Sequence, residues 1–259
     1  MERIIAVANQ KGGSGKTTTA VNLGAGLSRM GKNVLMVDLD PQGSLTACMG
    51  FRNPDELENT IADIFRKRIA DENYDVFASV RRHEEGMDLI PANIDLAAVE
   101  AMLVSVMSRE RMLEGILANL RNLYDYVIID CMPSLGMLAI NALTCADSVI
   151  IPVQAEYLPI KGLQQLFSTI GKVRRQINPK LIVGGVLFTM IDGRTNNSKV
   201  IMENIRAAYG DSIRVFNTTI PRAVRATEST AAGKSLFEYD PSGNATEAYG
   251  KLAEEVVKE

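Results

Sequence analysis

Residues 11–18 read Lys-Gly-Gly-Ser-Gly-Lys-Thr-Thr. Glycines at 12, 13 and 15 let successive backbone N–H groups turn inward and cradle anionic oxygens. The loop leaves a short apolar strand and opens a helix, whose N-terminus adds its positive dipole end. In that setting Lys16 reaches the β- and γ-phosphates of a nucleotide. The Thr17 hydroxyl ligates Mg²⁺, and Thr18 is placed for the α-phosphate. Lys11, Gly12, Gly13, Ser14, Gly15, Lys16, Thr17 and Thr18 are therefore expected to bind a nucleoside triphosphate with its metal.

Carboxylates follow at two strand ends. Val37-Asp38-Leu39-Asp40-Pro41-Gln42-Gly43 puts Asp38 at the close of the second apolar run and Asp40 just beyond. Open α/β sheets bind ligands outside the carboxyl ends of their strands, although aspartates before Pro also serve as turn formers. Tyr126-Val127-Ile128-Ile129 runs into Asp130. Four apolar residues ending in aspartate form a Walker B pattern, which places Asp130 near Mg²⁺, usually through water.

The elements that must hold these groups alternate in type. Strands are expected at Ile4–Ala8, Asn33–Val37, Met87–Pro91, Tyr126–Ile129, Ser148–Val153, Leu181–Thr189 and Ile213–Val215. Helical periods fall at Lys16–Met30, Thr60–Ala70, Asp95–Met107, Arg109–Leu123, Leu135–Thr144, Leu163–Ile177, Asn197–Tyr209 and Ala245–Val257. Continuous apolar strands between helices imply an α/β fold, a mostly parallel sheet with helices on both faces. No linker or repeat divides residues 1–259, so one domain is expected. Arg81 to Glu85 reads as a solvated loop.

Composition narrows the classes. The chain has 259 residues, 46% of them hydrophobic, with net charge -3, so it is no globally basic nucleic-acid binder. Cys48, Cys131 and Cys145 form no CxxC pair, and His83 is the single histidine. A disulfide framework or a thiolate or His metal site is not expected, and a reducing cytoplasm fits. No signal peptide and no apolar run long enough to span a bilayer is read.

One departure in the glycine loop points further. Gln10 stands where the usual loop begins with Gly, and Lys11 is an added lysine. Lys-Gly-Gly-x-Gly-Lys-Thr-Thr resembles the deviant Walker A motif of the ParA/MinD family of P-loop ATPases (SIMIBI-like). In that family the first lysine crosses a dimer interface to the phosphates of ATP on the other subunit, so the resemblance makes Lys11 catalytic together with Lys16 and Asp40. Val37 to Gly43 resembles the family's switch I, which implies that Asp40 positions the attacking water and that Asp38 supports Mg²⁺. Met132 and Ser14 replace a common proline and valine of the family.

The resemblance continues through Ile151-Pro152-Val153-Gln154, Glu156-Tyr157, Asp192-Gly193-Arg194-Thr195-Asn196, Ile220-Pro221-Arg222, Val224-Arg225 and Tyr239-Asp240-Pro241. It spans nearly the whole chain and looks like the ParA/Soj partition ATPases. It implies that Pro221 and Arg222 border the adenine, though a simple turn accounts for them equally well. It also implies an ATP-dependent homodimer that binds double-stranded DNA non-specifically through Arg194, Arg222 and Arg225. A ParB-like centromere-binding partner and a nucleoid-associated cytoplasmic location follow from the same likeness. Surface arginines are otherwise simply solvated. The MinD-like membrane branch ends in a basic amphipathic helix. Here Glu247, Glu254, Glu255 and Glu259 face Lys251 and Lys258, so no membrane is expected. A metabolic P-loop ligase is the remaining class.

Overall fold

The computed structural model describes residues 3–155, 159–192, 196–210 and 213–258. Glu156, Tyr157, Gly193, Arg194, Thr195 and Glu259 of the reading above lie outside the described residues.

Strands β1 (Arg3–Val7), β2 (Val34–Leu39), β3 (Arg81–Arg82), β4 (Met87–Ile90), β5 (Tyr126–Cys131), β6 (Ser148–Gln154), β7 (Ile182–Ile191) and β8 (Val215–Pro221) form one sheet. Their order is β3-β4-β2-β5-β1-β6-β7-β8. Every pairing is parallel except β3 with β4. The central strands bury both faces of the sheet because their apolar runs are nearly unbroken. Ile4 and Ala6 pack into one core, with Leu35, Val37, Val127 and Ile129. Ile5 and Val7 pack into the other, with Val34, Met36 and Ile128. This two-sided burial is the mark of a helix-covered parallel sheet.

One face is covered by α1 (Lys16–Arg29), α2 (Ser44–Cys48), α10 (Leu236–Tyr239) and α11 (Asn244–Val257). Helices α3 (Ile61–Ile69), α4 (Leu96–Leu103), α5 (Met112–Leu117), α6 (Met137–Cys145), α7 (Pro159–Gln176) and α8 (Asn196–Tyr209) supply the other. The α11 stripe Ala245, Ala248, Tyr249, Leu252, Ala253 and Val256 is buried, as its 3.6-residue period requires. At the sheet edge Glu255 accepts from the Asn217 and Thr218 amides of β8 at 3.2 and 2.8 Å. A carboxylate there blocks further strand pairing.

Several elements differ from the sequence reading. The helix expected over Asp95–Met107 stops at Leu103. Arg109–Leu123 breaks into a 3₁₀ turn (Arg109–Arg111), α5 and a second 3₁₀ turn (Arg121–Leu123). The Asn141 side chain, from α6, accepts from the Leu113 amide at 3.0 Å, so a tertiary contact caps the start of α5. The last strand begins at Val215 rather than Ile213 and runs to Pro221, and α9 (Val224–Ala232) follows it. The stretch Arg81 to Glu85 is not a solvated loop. It contains β3, and Glu85 accepts from the Ser235 amide at 2.9 Å and from the Ser235 hydroxyl.

Candidate functional site

Parallel pairing carries the ends of β1, β2, β5, β6, β7 and β8 to one edge of the sheet, and the site is built there. The phosphate loop leaves β1 and enters α1. Gly13 and Gly15 take left-handed φ angles of 70° and 83°, which glycine adopts without the clash a Cβ would bring. A methyl group at Gly12 or Gly13 would meet nothing within 4 Å among the described residues, so the loop is uncrowded at both positions. Thr189 at the end of β7 donates to the Ser14 carbonyl at 2.8 Å. Gln154 at the end of β6 donates to the Gly13 carbonyl at 2.6 Å. With these two carbonyls held outward, the loop amides are free to face an anion.

Lys16 is 7% exposed and its ammonium donates to the Lys11 carbonyl at 3.3 Å. Burial pushes this ammonium below its ordinary pKa, opposed by the neighbouring Asp130 carboxylate. The Thr17 hydroxyl donates to Asp130 Oδ2 at 2.7 Å. Asp130 lies directly beside Asp38 in the β2–β5 register. Burial, with the Asp38 charge next to it, drives the Asp130 carboxyl far above the usual carboxylate range. Burial likewise pushes Asp38 up to about 6.

Asp38 is more constrained than its sequence position suggests. Its Oδ2 accepts from the Thr46 amide at 2.8 Å and from the Thr46 hydroxyl at 2.7 Å, and its Oδ1 accepts from the Asp40 amide at 3.2 Å. Thr46 in turn accepts from the Ala92 amide at 3.0 Å. Asp40 Oδ1 accepts from the Gln42 amide at 3.0 Å. The switch-like segment is therefore anchored on Asp38 and on α2.

Asp130 Oδ1 is buried with no hydrogen-bond partner among the described residues, a costly state for a polar atom. A divalent cation beside Thr17 and Asp130 answers that cost, so the residues present fit Mg²⁺. Among the described residues no group of three or more His, Cys, Asp or Glu forms a metal cage. Mg²⁺ does not need one, because it keeps several waters and uses one or two carboxylates with substrate phosphates.

A cavity of about 640 Å³ adjoins the loop. Gly15, Thr18, Met190, Pro221, Arg222 and Tyr249 are among its lining residues. The fold thus brings Thr18, Pro221 and Arg222 together around one cavity. Arg222 is exposed and its amide donates to the Ile191 carbonyl at 3.1 Å. Arg225 is exposed on α9, where its guanidinium pairs with Glu228 at 2.8 Å.

Sequence reasoning assigned no role to Thr46, Gln154, Thr189 or Met190. The carboxyl-end rule for parallel strands could have flagged Gln154 and Thr189. The three cysteines are free and buried, and burial pushes the Cys48 thiol up to about 12.

A family model described as AAA domain matches residues 2–183. The chain is 46% identical over 258 residues to the sporulation initiation inhibitor protein Soj of Bacillus subtilis, covering 99% of each. It is 41% identical over 257 residues to the chromosome partitioning protein ParA of Caulobacter vibrioides, covering 98% of this chain and 94% of that one. A solved structure named cobyrinic acid a,c-diamide synthase, from Mycobacterium smegmatis with bound ADP and magnesium, is 40% identical with a TM-score of 0.85. That match covers 100% of this chain and 95% of the other. With a mostly parallel sheet, a lysine-bearing glycine loop and full-length likeness to Soj and ParA, the chain belongs to the ParA/Soj family of P-loop ATPases.

Proposed function

We propose that this chain is a Mg²⁺-dependent partition ATPase, hydrolysing ATP to ADP and phosphate. In this reading residues 1–259 act as one domain, and two ATP-bound copies associate and hold DNA without regard to sequence. A ParB-like partner stimulates hydrolysis and so releases the DNA, in a nucleoid-associated cytoplasmic setting. The carrying observation is end-to-end similarity to Soj and ParA in a chain with Lys11 at the loop's exposed mouth.

The roles rest on the family resemblance, and the positions of Lys16, Thr17 and Asp130 support them. The amides of residues 12–18 and Lys16 hold the phosphates, and Pro221 and Arg222 border the base. Thr17 would ligate Mg²⁺, with Asp130 and Asp38 acting on its waters. The bound metal supplies Lewis-acid neutralisation of phosphoryl charge. Asp40 orients the attacking water and Lys11 reaches the partner copy's phosphates, where charge grows in the transition state. Arg194, Arg222 and Arg225 contribute cations to DNA phosphates. Among the described residues no helix is long and apolar enough to cross a membrane.

A DNA shift assay with ATP, with ADP and without nucleotide tests this reading. Retardation only with ATP, equal for unrelated sequences, is expected. Binding to anionic vesicles with no DNA retention would replace it with a MinD-like role at a membrane surface. A second reading, an ATP-dependent amide ligase, draws on the name of the Mycobacterium smegmatis structure. It predicts no ATP turnover until a carboxylic acid and an amine donor are supplied.

A further inference from the structure

Gln154 ends β6 beside the glycine loop, and its carboxamide has three partners. Nε2 donates to the Gly13 carbonyl at 2.6 Å and reaches Met190 Sδ at 2.8 Å. Oε1 accepts from the Lys11 ammonium at 3.3 Å. The same strand also reaches the Lys11 backbone. Asn9 Oδ1 accepts from the Lys11 amide at 3.0 Å, while Asn9 Nδ2 donates to the Pro152 carbonyl at 2.6 Å. Both the backbone and the side chain of Lys11 are thus referred to the end of β6. Met190 is itself unusual, with a left-handed φ of 53°. A non-glycine residue in that region is strained, and such strain collects at functional sites.

A lysine ammonium on a four-carbon stem has many rotamers, and a cation that must meet a transferring phosphoryl group gains from being aimed beforehand. We infer that Gln154 is a positioning residue for Lys11: its carboxamide fastens the loop at Gly13 and, through its other end, aims the Lys11 ammonium from the loop's exposed mouth toward a second copy of the chain. This rests on the trans-acting role of Lys11 proposed above. On this inference the effect of Gln154 on the hydrolysis rate passes through Lys11.

The test measures phosphate release from ATP with DNA present, over a range of protein concentrations, together with ATP affinity by calorimetry. Wild type, Gln154→Ala, Gln154→Met, Lys11→Ala and the Lys11→Ala/Gln154→Ala double variant are compared. Gln154→Met keeps the side-chain volume if the alanine loosens the loop. Both single Gln154 variants should lower the rate at saturating ATP about tenfold, the loss set by a hydrogen bond to a charged group. ATP affinity reads the clasp on Gly13 separately, and any fall in it should be the same in the Lys11→Ala background. In the Lys11→Ala background the second change should cost no more than about twofold, because the two residues act as one unit. A wild-type rate in both Gln154 variants overturns the inference. So does an equal loss with and without Lys11, which would make Gln154 a prop for the loop alone. If Lys11→Ala itself hydrolyses at the wild-type rate, the trans-lysine reading falls and takes this inference with it. That case is distinct from one in which only the Gln154 variants are silent.

Discussion

The Thr17 hydroxyl and the Asp130 carboxylate are joined at 2.7 Å, linking the first turn of α1 to the end of β5. These residues are far apart in sequence, yet parallel pairing of β1 with β5 sets Val7 beside Asp130 and brings the following loop over it. Folding therefore brings together the two groups proposed above to serve Mg²⁺. Such preorganisation is what electrostatic catalysis requires.

Lys16→Ala should abolish nucleotide binding. Lys16 is 7% exposed at the head of α1, and the substitution removes the buried cation nearest the phosphate loop while leaving Asp130 without its neighbour. Isothermal calorimetry with ATP and Mg²⁺ checks this, and unchanged affinity would refute the loop assignment.

Asp40→Ala should bind ATP with near wild-type affinity and hydrolyse it at least about a hundredfold more slowly, the usual scale for losing a group that acts only in the transition state. Asp38 would keep its bonds to Thr46, so the fold should persist. Phosphate release and size-exclusion chromatography with ATP should show a slow, dimer-trapped enzyme. Turnover at the normal rate would remove Asp40 from the mechanism.

Gly233→Ala should destabilise the protein without touching the nucleotide site. Gly233 has a φ of 70°, and a Cβ there would lie 2.6 Å from Gly50 Cα, a backbone atom that cannot swing away. A loss of about 2–4 kcal/mol is expected from left-handed strain plus backbone displacement. Calorimetry should then show Tm lowered by roughly 4–15 °C. An unchanged Tm would mean that the approach of Gly50 to Gly233 is not maintained in solution.

Arg225→Ala should weaken DNA binding to every sequence alike while ATP affinity holds. Its partner Glu228 is half-exposed in the same helix, so the ion pair itself adds little to stability. Each lost phosphate contact makes the slope of log affinity against log salt shallower by about 0.9. Filter binding across a salt series measures this. Normal affinity and slope would place the DNA contact on other residues.

Much of the architecture was legible because strong periodicity survives folding. Leu35 to Val37 and Val127 to Ile129 alternate between two cores, so their unbroken apolar runs announced a sheet covered on both faces. The strand β8 was placed poorly for a matching reason. Its Asn217-Thr218-Thr219 centre interrupts the apolar run, and a polar centre is tolerated because β8 is an edge strand whose amides are met by Glu255. Helix ends near Arg109 were misread because the cap of α5 is Asn141, from another helix.

By itself, the amino-acid sequence determined the chemistry that depends on neighbours along the chain: a glycine loop that can turn its amides inward, a lysine at each end of it, and aspartates at apolar strand ends. These motifs work through covalent adjacency, so a linear reading finds them. Tertiary structure alone decided which groups meet across the sheet. The order β2-β5-β1-β6-β7 sets Asp38 beside Asp130, Gln154 against Gly13 and Lys11, and Thr189 against Ser14. Strand order and register are set by how whole faces pack, a sum over many distant apolar contacts, and no short motif carries that information.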